Sequence, residues 1–508
     1  MCSNRERCLD RQCHPSAAVT PTGACMKVGL INRTGNYLTV ESYQNCVNTL
    51  GVELGRKQVW ELTHRGNQGC AAVVALQSCH GDYLLVDNDG TVRCGYPSPC
   101  QQSLFLLNLH AFGDWILKSM CTEKYLESDG ENVFCCSPNL TCDHRWMPHL
   151  AMHAHIALYN MTNNCYARVD PTIGKILVDL PEPYLEESGF LLRFCNGLYH
   201  LETSDHKFVS REDTLEETPS SLTAFTLHLK PGCVARFSDG KGCIFYPQGR
   251  QRLLCLGACP NNMEEWFLLK RLPAWVYLKA CNRRFVSIVC GVEVGATTKC
   301  LTPQSVFLYE MDCETNSVRL SGINGCYLAR RRSQSIMANG NSEEEDSCFI
   351  VWWHCGKICL RASNCAYLTV QPVGLIVTCS TQPGPDEEFV LRLCNRAYLL
   401  LRSRYGYIGT SVCQGGLQCN QPDPLAIELT PCRQATYHFG VQGGRFWQIR
   451  PDGSVTIDGH CPQNFYIEIR GTNFLAVLAP NGYYLRGDQC GSVVADCENI
   501  IRDCLWEF

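Results

Sequence analysis

What the sequence lacks sets the first limits. No apolar run approaches the ~18 residues of a membrane span; the longest aliphatic stretch runs only from Ala71 to Leu76. No C-x-x-C pair occurs, and the looser pairs Cys255/Cys259 and Cys355/Cys359 have no partners at finger-like spacing, so no metal site is expected. G-x-S-x-G, H-E-x-x-H, G-x-x-x-x-G-K-[ST] and G-x-G-x-x-G are all absent, which leaves no nucleophile elbow, zinc-binding helix or phosphate cradle in view. A charge excess is missing too: 44 basic residues against 49 acidic ones give −5, too little to draw the chain to nucleic acid or an anionic membrane. The expectation is a binding protein with no enzyme activity, no cofactor, no nucleic-acid partner and no membrane insertion.

What is present describes a folded chain rich in turns. Apolar residues make up 45% and charged residues 18%, with 41 Gly and 24 Pro. At 508 residues the chain exceeds one hydrophobic core and suggests three or four units. The 37 cysteines would suggest a disulfide framework in an oxidising compartment. Residues 1–24 carry Arg5, Arg7 and Arg11 without the apolar stretch of a secretory signal, so a cytoplasmic chain with reduced, core-filling thiols is expected instead. On that reading the sequons at Asn32, Asn139 and Asn160 are chance matches. His149, His153 and His155 form the one histidine cluster, which a junction between units explains at least as well as a ligand set.

One pattern returns along almost the whole length: V-x-L-x-x-x-x-G-x-Y-L. Its anchor recurs as Tyr37, Tyr83, Tyr125, Tyr166, Phe208, Ile244, Phe285, Tyr327, Tyr367, Tyr407, Phe446 and Tyr484, at intervals of 36 to 46 residues. Apolar alternation before the turn predicts a strand with one buried face. Gly35, Gly81, Gly325, Gly444 and Gly482 stand two residues before their anchors, where a positive φ suits a reversal. About 20 residues after each anchor comes an aromatic: Trp60, Phe105, Trp146, Phe190, Phe225, Trp266, Phe307, Phe349, Phe389, Phe465 and Trp506. The tenth copy offers only Leu425 or Ile427.

Twelve copies of about 40 residues exceed the four to eight blades of a propeller, and three copies make a trefoil. The predicted architecture is therefore all-β, four tandem β-trefoil domains: a flexible segment 1–25, then 26–150, 151–272, 273–394 and 395–508.

These residues resemble the fascins, the four-trefoil actin-bundling family, and most of all its testis-type branch. The resemblance spans residues 26–508. It rests on Gly29-Leu30-Ile31-Asn32 with Tyr37-Leu38-Thr39, Lys57-Gln58-Val59-Trp60, His149-Leu150-Ala151-Met152-His153, Leu360-Arg361-Ala362-Ser363-Asn364, Tyr405-Gly406-Tyr407-Ile408-Gly409, Tyr484-Leu485-Arg486-Gly487-Asp488 and Leu505-Trp506-Glu507-Phe508. It implies F-actin as partner, a cytoplasmic, cytoskeletal location and a monomer with several filament contacts. Carried over residue by residue, the candidate contacts are Arg56, Lys57, Arg402, Arg404 and Arg486. Glu53 stands where the family has a regulatory serine, so a phosphorylation switch there is not expected. Gly55, Ser411 and Val412, the turn Asn163-Asn164-Cys165 and the turn Gln371-Pro372-Val373-Gly374 replace basic residues of the family pattern. Arg330-Arg331-Arg332 reads as a solvated hairpin facing Glu343-Glu344-Glu345-Asp346.

Two alternatives stay open at this point. A sperm-specific trefoil scaffold with weakened or no actin crosslinking fits the lost basic turns. A carbohydrate-binding trefoil is suggested by Gln58-Val59-Trp60, which spells a lectin signature once.

Overall fold

The computed structural model describes residues 25–508, apart from 44, 45, 259–264, 411–415 and 434. Arg5, Arg7, Arg11, Cys259, Ser411 and Val412 lie outside the described residues, as does the expected flexible segment up to Cys25, which opens the first strand. Among the described residues the chain is strand joined by turns and one-turn 3-10 helices, with no α-helix.

Pairing shows how the repeats assemble. Strands Cys25–Ile31, Trp60–Gln68, Ala71–Gln77, Phe105–Leu109, Trp115–Ser119 and Arg145–Leu150 pair antiparallel in succession, and the last returns to the first. A closed ring leaves no edge for another chain to extend. Three hairpins, at Tyr37–Val40 with Val47–Gly51, Tyr83–Val86 with Val92–Gly95, and Glu127–Ser128 with Val133–Phe134, are joined to one another by single bridges between their outer strands. Six ring strands and three capping hairpins make a β-trefoil. Three further rings follow. Strand His155–Asn160 meets Phe267–Arg271, and Trp275–Lys279 meets Phe389–Leu393. The last ring, opening at Tyr398–Leu399, closes through single bridges between Tyr437 and Phe465 and between Arg402 and Glu507.

The strand period decides which repeat residues fill the rings. The residue after each anchor, from Leu38 through Leu84 and Leu328 to Leu485, is buried in every copy. The anchor points to the other face, because successive side chains alternate. Tyr125, Phe285, Tyr327, Phe446 and Tyr484 are accordingly only half-buried. The aromatics 20 residues on complete the interior: Trp60, Phe105 and Trp146 are fully buried, and the indole N–H of Trp60 donates to Leu38 O at 2.9 Å while that of Trp146 donates to Leu126 O at 3.0 Å. Trp506 repeats the bond to Leu485 O at 3.1 Å. Each ties the closing strand to the residue after its own repeat's anchor and satisfies a donor that burial would otherwise leave unpaired. In the sixth copy the ring position belongs to Phe267, with Trp266 beside it under Lys230 at 3.5 Å. In the tenth it belongs to Ile427.

The reversals depend on left-handed backbone in more copies than the glycines reveal. Eleven of the twelve copies hold a positive φ two residues before the anchor, with Glu123, Asn164, His206, Arg283 and Cys365 adopting it as well as the glycines. The tenth differs, its Gly406 taking φ 153° one residue before Tyr407.

The buried apolar residues form two large cores. One runs from Met26 to Leu269 through the first two rings, the other from Ala274 to Phe508 through the last two. Neighbouring trefoils therefore share apolar contacts rather than hanging from linkers: Trp115 of the first ring donates to Leu229 O of the second at 2.8 Å, and Thr472 of the fourth to Met311 O of the third at 3.1 Å.

Candidate functional site

The histidine cluster sits at a joint between three trefoils. His149 stacks on Phe194 at 3.9 Å, and its Nδ1 lies 2.9 Å from the Tyr37 hydroxyl. Tyr199 donates to Pro148 O at 3.1 Å and accepts from Leu150 N at 3.0 Å. Further along, Ala154 N donates to the Tyr407 hydroxyl at 2.8 Å, His153 Nε2 lies 3.1 Å from Leu400 O, and His155 stacks on Tyr398 at 5.1 Å. The segment is thus pinned to the second and fourth trefoils at once. Burial pushes His149 down to about 3, and holds His153 and His155 well below the ordinary imidazole range. All three stay neutral and structural at physiological pH. No three His, Cys, Asp or Glu among the described residues are grouped to hold a metal.

Along this joint runs a cleft of about 230 Å³. Val52, Glu53 and Leu54 of the first trefoil form one wall, Arg193 and Phe194 of the second another, and Arg402, Tyr407 and Gln421 to Pro424 of the fourth a third. Glu53 and Arg402, about 350 residues apart in the chain, are brought to one concavity by it. Burial first, and Glu53 second, push the Tyr37 hydroxyl up to about 12, so it remains a donor at the cleft floor.

Of the five candidate cations, four are held by carboxylates of this chain. Lys57 Nζ lies 2.6 Å from Glu41, a hydrogen bond that draws Glu41 below the usual carboxylate range. Arg402 lies 3.7 Å from Glu507, which also meets Arg271 at 2.7 Å, and its guanidinium covers the Tyr407 ring at 5.3 Å. Arg404 pairs with Asp503 at 3.2 Å and lies over Tyr405. Arg486 grips Asp496 with two bonds of 2.7 Å. Arg56 is exposed at the start of the one-turn helix Arg56–Gln58 and has no ion pair among the described residues. Arg56 and Lys57 follow the wall residue Leu54 after Gly55 but, like Arg404 and Arg486, are not among the residues that line the cleft. Arg404 and Arg486 do not line the cleft; they stand on other edges of the fourth trefoil.

Two other sequence features are absorbed by the fold. Gln58 donates to Thr39 Oγ1 at 3.1 Å and Trp60 is fully buried, so the lectin-like triplet is occupied inside the chain. Arg330 and Arg331 face the acidic stretch, pairing with Asp346 at 2.8 Å and Glu344 at 2.9 Å. Tyr199, Phe194 and Arg193 belong to the cleft without having been singled out from sequence. Their neighbour across it, Tyr407, was visible there as a repeat anchor and as part of the turn Tyr405 to Gly409.

Closed strand rings, locked together at buried joints, define an array of β-trefoils. The Fascin domain matches residues 34–146 and 273–391. The chain is 46% identical over 488 residues to Fascin-3 of Mus musculus and 44% identical to Fascin-3 of Homo sapiens, each covering 96% of this chain and 98% of the relative. It is 30% identical over 485 residues to Fascin-2 of Bos taurus, covering 95% of this chain and 98% of the relative. The chain belongs to the fascin family.

Proposed function

We propose that this protein is a cytoskeletal scaffold that binds actin filaments, with its four units divided near residues 150, 272 and 394. The observation that carries the reading is similarity to fascins along 96% of the chain, joined to a cleft where the first and fourth trefoils meet. Arg56 and Lys57 beside one wall of the cleft and Arg402 on another offer charge to the acidic surface of a filament, with Arg404 and Arg486 as further contacts elsewhere on the fourth trefoil. Glu53 between them subtracts charge permanently where a phosphorylatable residue would do so on demand. A rigid body is what such a role asks for, since two sites crosslink filaments only when held at a fixed spacing.

A weaker crosslinker, as in a testis-type scaffold with another main partner, is the second reading. The internal carboxylates on Lys57, Arg402, Arg404 and Arg486 favour it, because exposed pairs contribute little net field at physiological salt. Actin co-sedimentation at two speeds separates the readings. Pelleting at low speed means bundles, and pelleting only at high speed means binding without crosslinks. No pelleting at either speed, at low salt as well as physiological salt, overturns the actin reading.

A further inference from the structure

Thirty-two described cysteines carry no disulfide, and most stand apart from one another. Cys497 and Cys504 differ, because the repeat places them face to face. In the first copy Tyr37 pairs with Gly51, and the one-turn helix Arg56–Gln58 ends seven residues later, 51 to 58. In the eighth, Tyr327 pairs with Gly340 and the helix Glu345–Ser347 follows at the same distance, 340 to 347. In the twelfth, Tyr484 pairs with Cys497 and Arg502–Cys504 follows, 497 to 504.

The glycine copies measure how close these positions are. A side-chain carbon added to Gly51 would lie 2.9 Å from Gln58 Cγ, and one added to Gly340 would run into Ser347 Oγ. A disulfide needs a Cβ to lie about 3 Å from the partner's γ atom. The twelfth copy puts a thiol at both positions, and Cys504 is near enough to help raise the Cys497 thiol. Cys497 also lies 3.6 Å from Asp496 Oδ1, and Cys504 is fully buried behind it.

We infer that Cys497 and Cys504 are a disulfide-forming pair, closed by exchange with a small disulfide of the glutathione type and reopened by a dithiol. Cys497, half-buried, is the entry point. It loses its proton to solvent and its sulfur attacks one sulfur of the small disulfide, whose S–S bond breaks as one small thiolate leaves. Cys504, deprotonated in turn, attacks Cys497 Sγ; the mixed S–S bond breaks and the second small thiolate leaves. Two protein thiols are oxidised and one small disulfide is reduced to two thiols. Burial, Cys504 and Asp496 push the Cys497 thiol up to about 11, so exchange is slow at neutral pH and the pair is read at equilibrium. The closed loop begins beside Asp496 and contains Asp503, the carboxylates that hold Arg486 and Arg404. The bond would thus fix the spacing of two charged pairs on the outer face of the fourth trefoil.

The test uses the full chain, brought to a constant state in oxidised and reduced glutathione, quenched in acid, alkylated and cut with trypsin. Cleavage after Arg486 and Arg502 places the two cysteines on separate peptides, so the bond appears as a joined pair lighter by two hydrogens. Cys490 shares the peptide of Cys497, and C490S makes the assignment unique. The expected result is a joined pair about tenfold or more in excess of glutathione adducts at Cys497, lost on adding dithiothreitol. C504S should convert Cys497 to an adduct; serine already fills the matching position as Ser305 and Ser347, so that variant fits the fold. The inference is overturned if both thiols stay alkylatable, or carry separate adducts, under conditions where exposed Cys461 is modified.

Discussion

The first and fourth trefoils are built from the same repeat but close in different ways. In the first, Trp60–Gln68 and Ala71–Gln77 run together through seven registered pairs, and the ring interior holds Trp60, Phe105 and Trp146. In the fourth, the opening strand Tyr398–Leu399 has two residues, two of the ring joints are single bridges, and Ile427 stands where an aromatic is usual. The missing volume returns from another position. Trp447, where other copies have Leu, Val, Ala, Ile or, once, Phe after the anchor, is fully buried and meets Phe439 at 5.5 Å and Phe465 at 6.4 Å. The lesson is that a trefoil conserves filled interior volume rather than a residue at each repeat position, as close packing requires.

The largest effects should come from the two tryptophans. Trp60→Ala should cost about 3–5 kcal/mol of unfolding free energy through a cavity and an orphaned carbonyl, measured by denaturant titration. Trp447→Ala should cost a similar amount, whereas Ile427→Val should cost about 1 kcal/mol. A Trp447→Ala loss no larger than that of Ile427→Val would break the comparison.

Acid should act on the joint between these trefoils before it acts on either ring. His149, His153 and His155 are held neutral, their folded titration lying below the unfolded one near 6.5. The unfolded chain therefore binds more protons as pH falls, so stability is full above about 6.5 and drops towards pH 3, by up to about 1.4 kcal/mol per pH unit for each group. Thermal melts from pH 7.5 to 5 should shift downward, and His153→Phe should flatten the slope even if it lowers the starting point. An unchanged slope would remove the histidines from the acid response.

A smaller effect separates the charged edges. Arg56→Ala should weaken filament binding about fivefold at low salt, close to 1 kcal/mol. Removing Arg486 together with Asp496 leaves net charge unchanged and should stay within about twofold. Equal losses in the two variants would erase the distinction between a cation with no ion pair among the described residues of the first trefoil and a paired one in the fourth. One substitution should bring a gain: Arg283→Gly, at φ 62°, should stabilise by about 0.5–1 kcal/mol by relieving a left-handed side chain.

Much of the fold was legible because the repeat wrote it twelve times. The Tyr-Leu pair, the Gly two residues before it and the aromatic 20 residues later are local signals with a strand-and-turn meaning. Alternation alone places one member of the Tyr-Leu pair inside without saying which, and the ring takes Leu38. Sequence also missed the left-handed turns at Arg283 and Cys365, which carry no glycine to announce them. The candidate contacts were found as charges, but their states were not: nothing near Arg486 in sequence distinguishes its two bonds to Asp496 from the exposure of Arg56.

The sequence by itself determined that the repeats are strand and turn, taken three at a time, because period, turn residues and apolar alternation are properties of short segments. Only the tertiary structure decided which histidines are buried, which arginines are already matched, and that Glu53 shares a cleft with Arg402. Those are long-range facts, fixed when closed rings pack against one another and bring distant segments within a few ångströms.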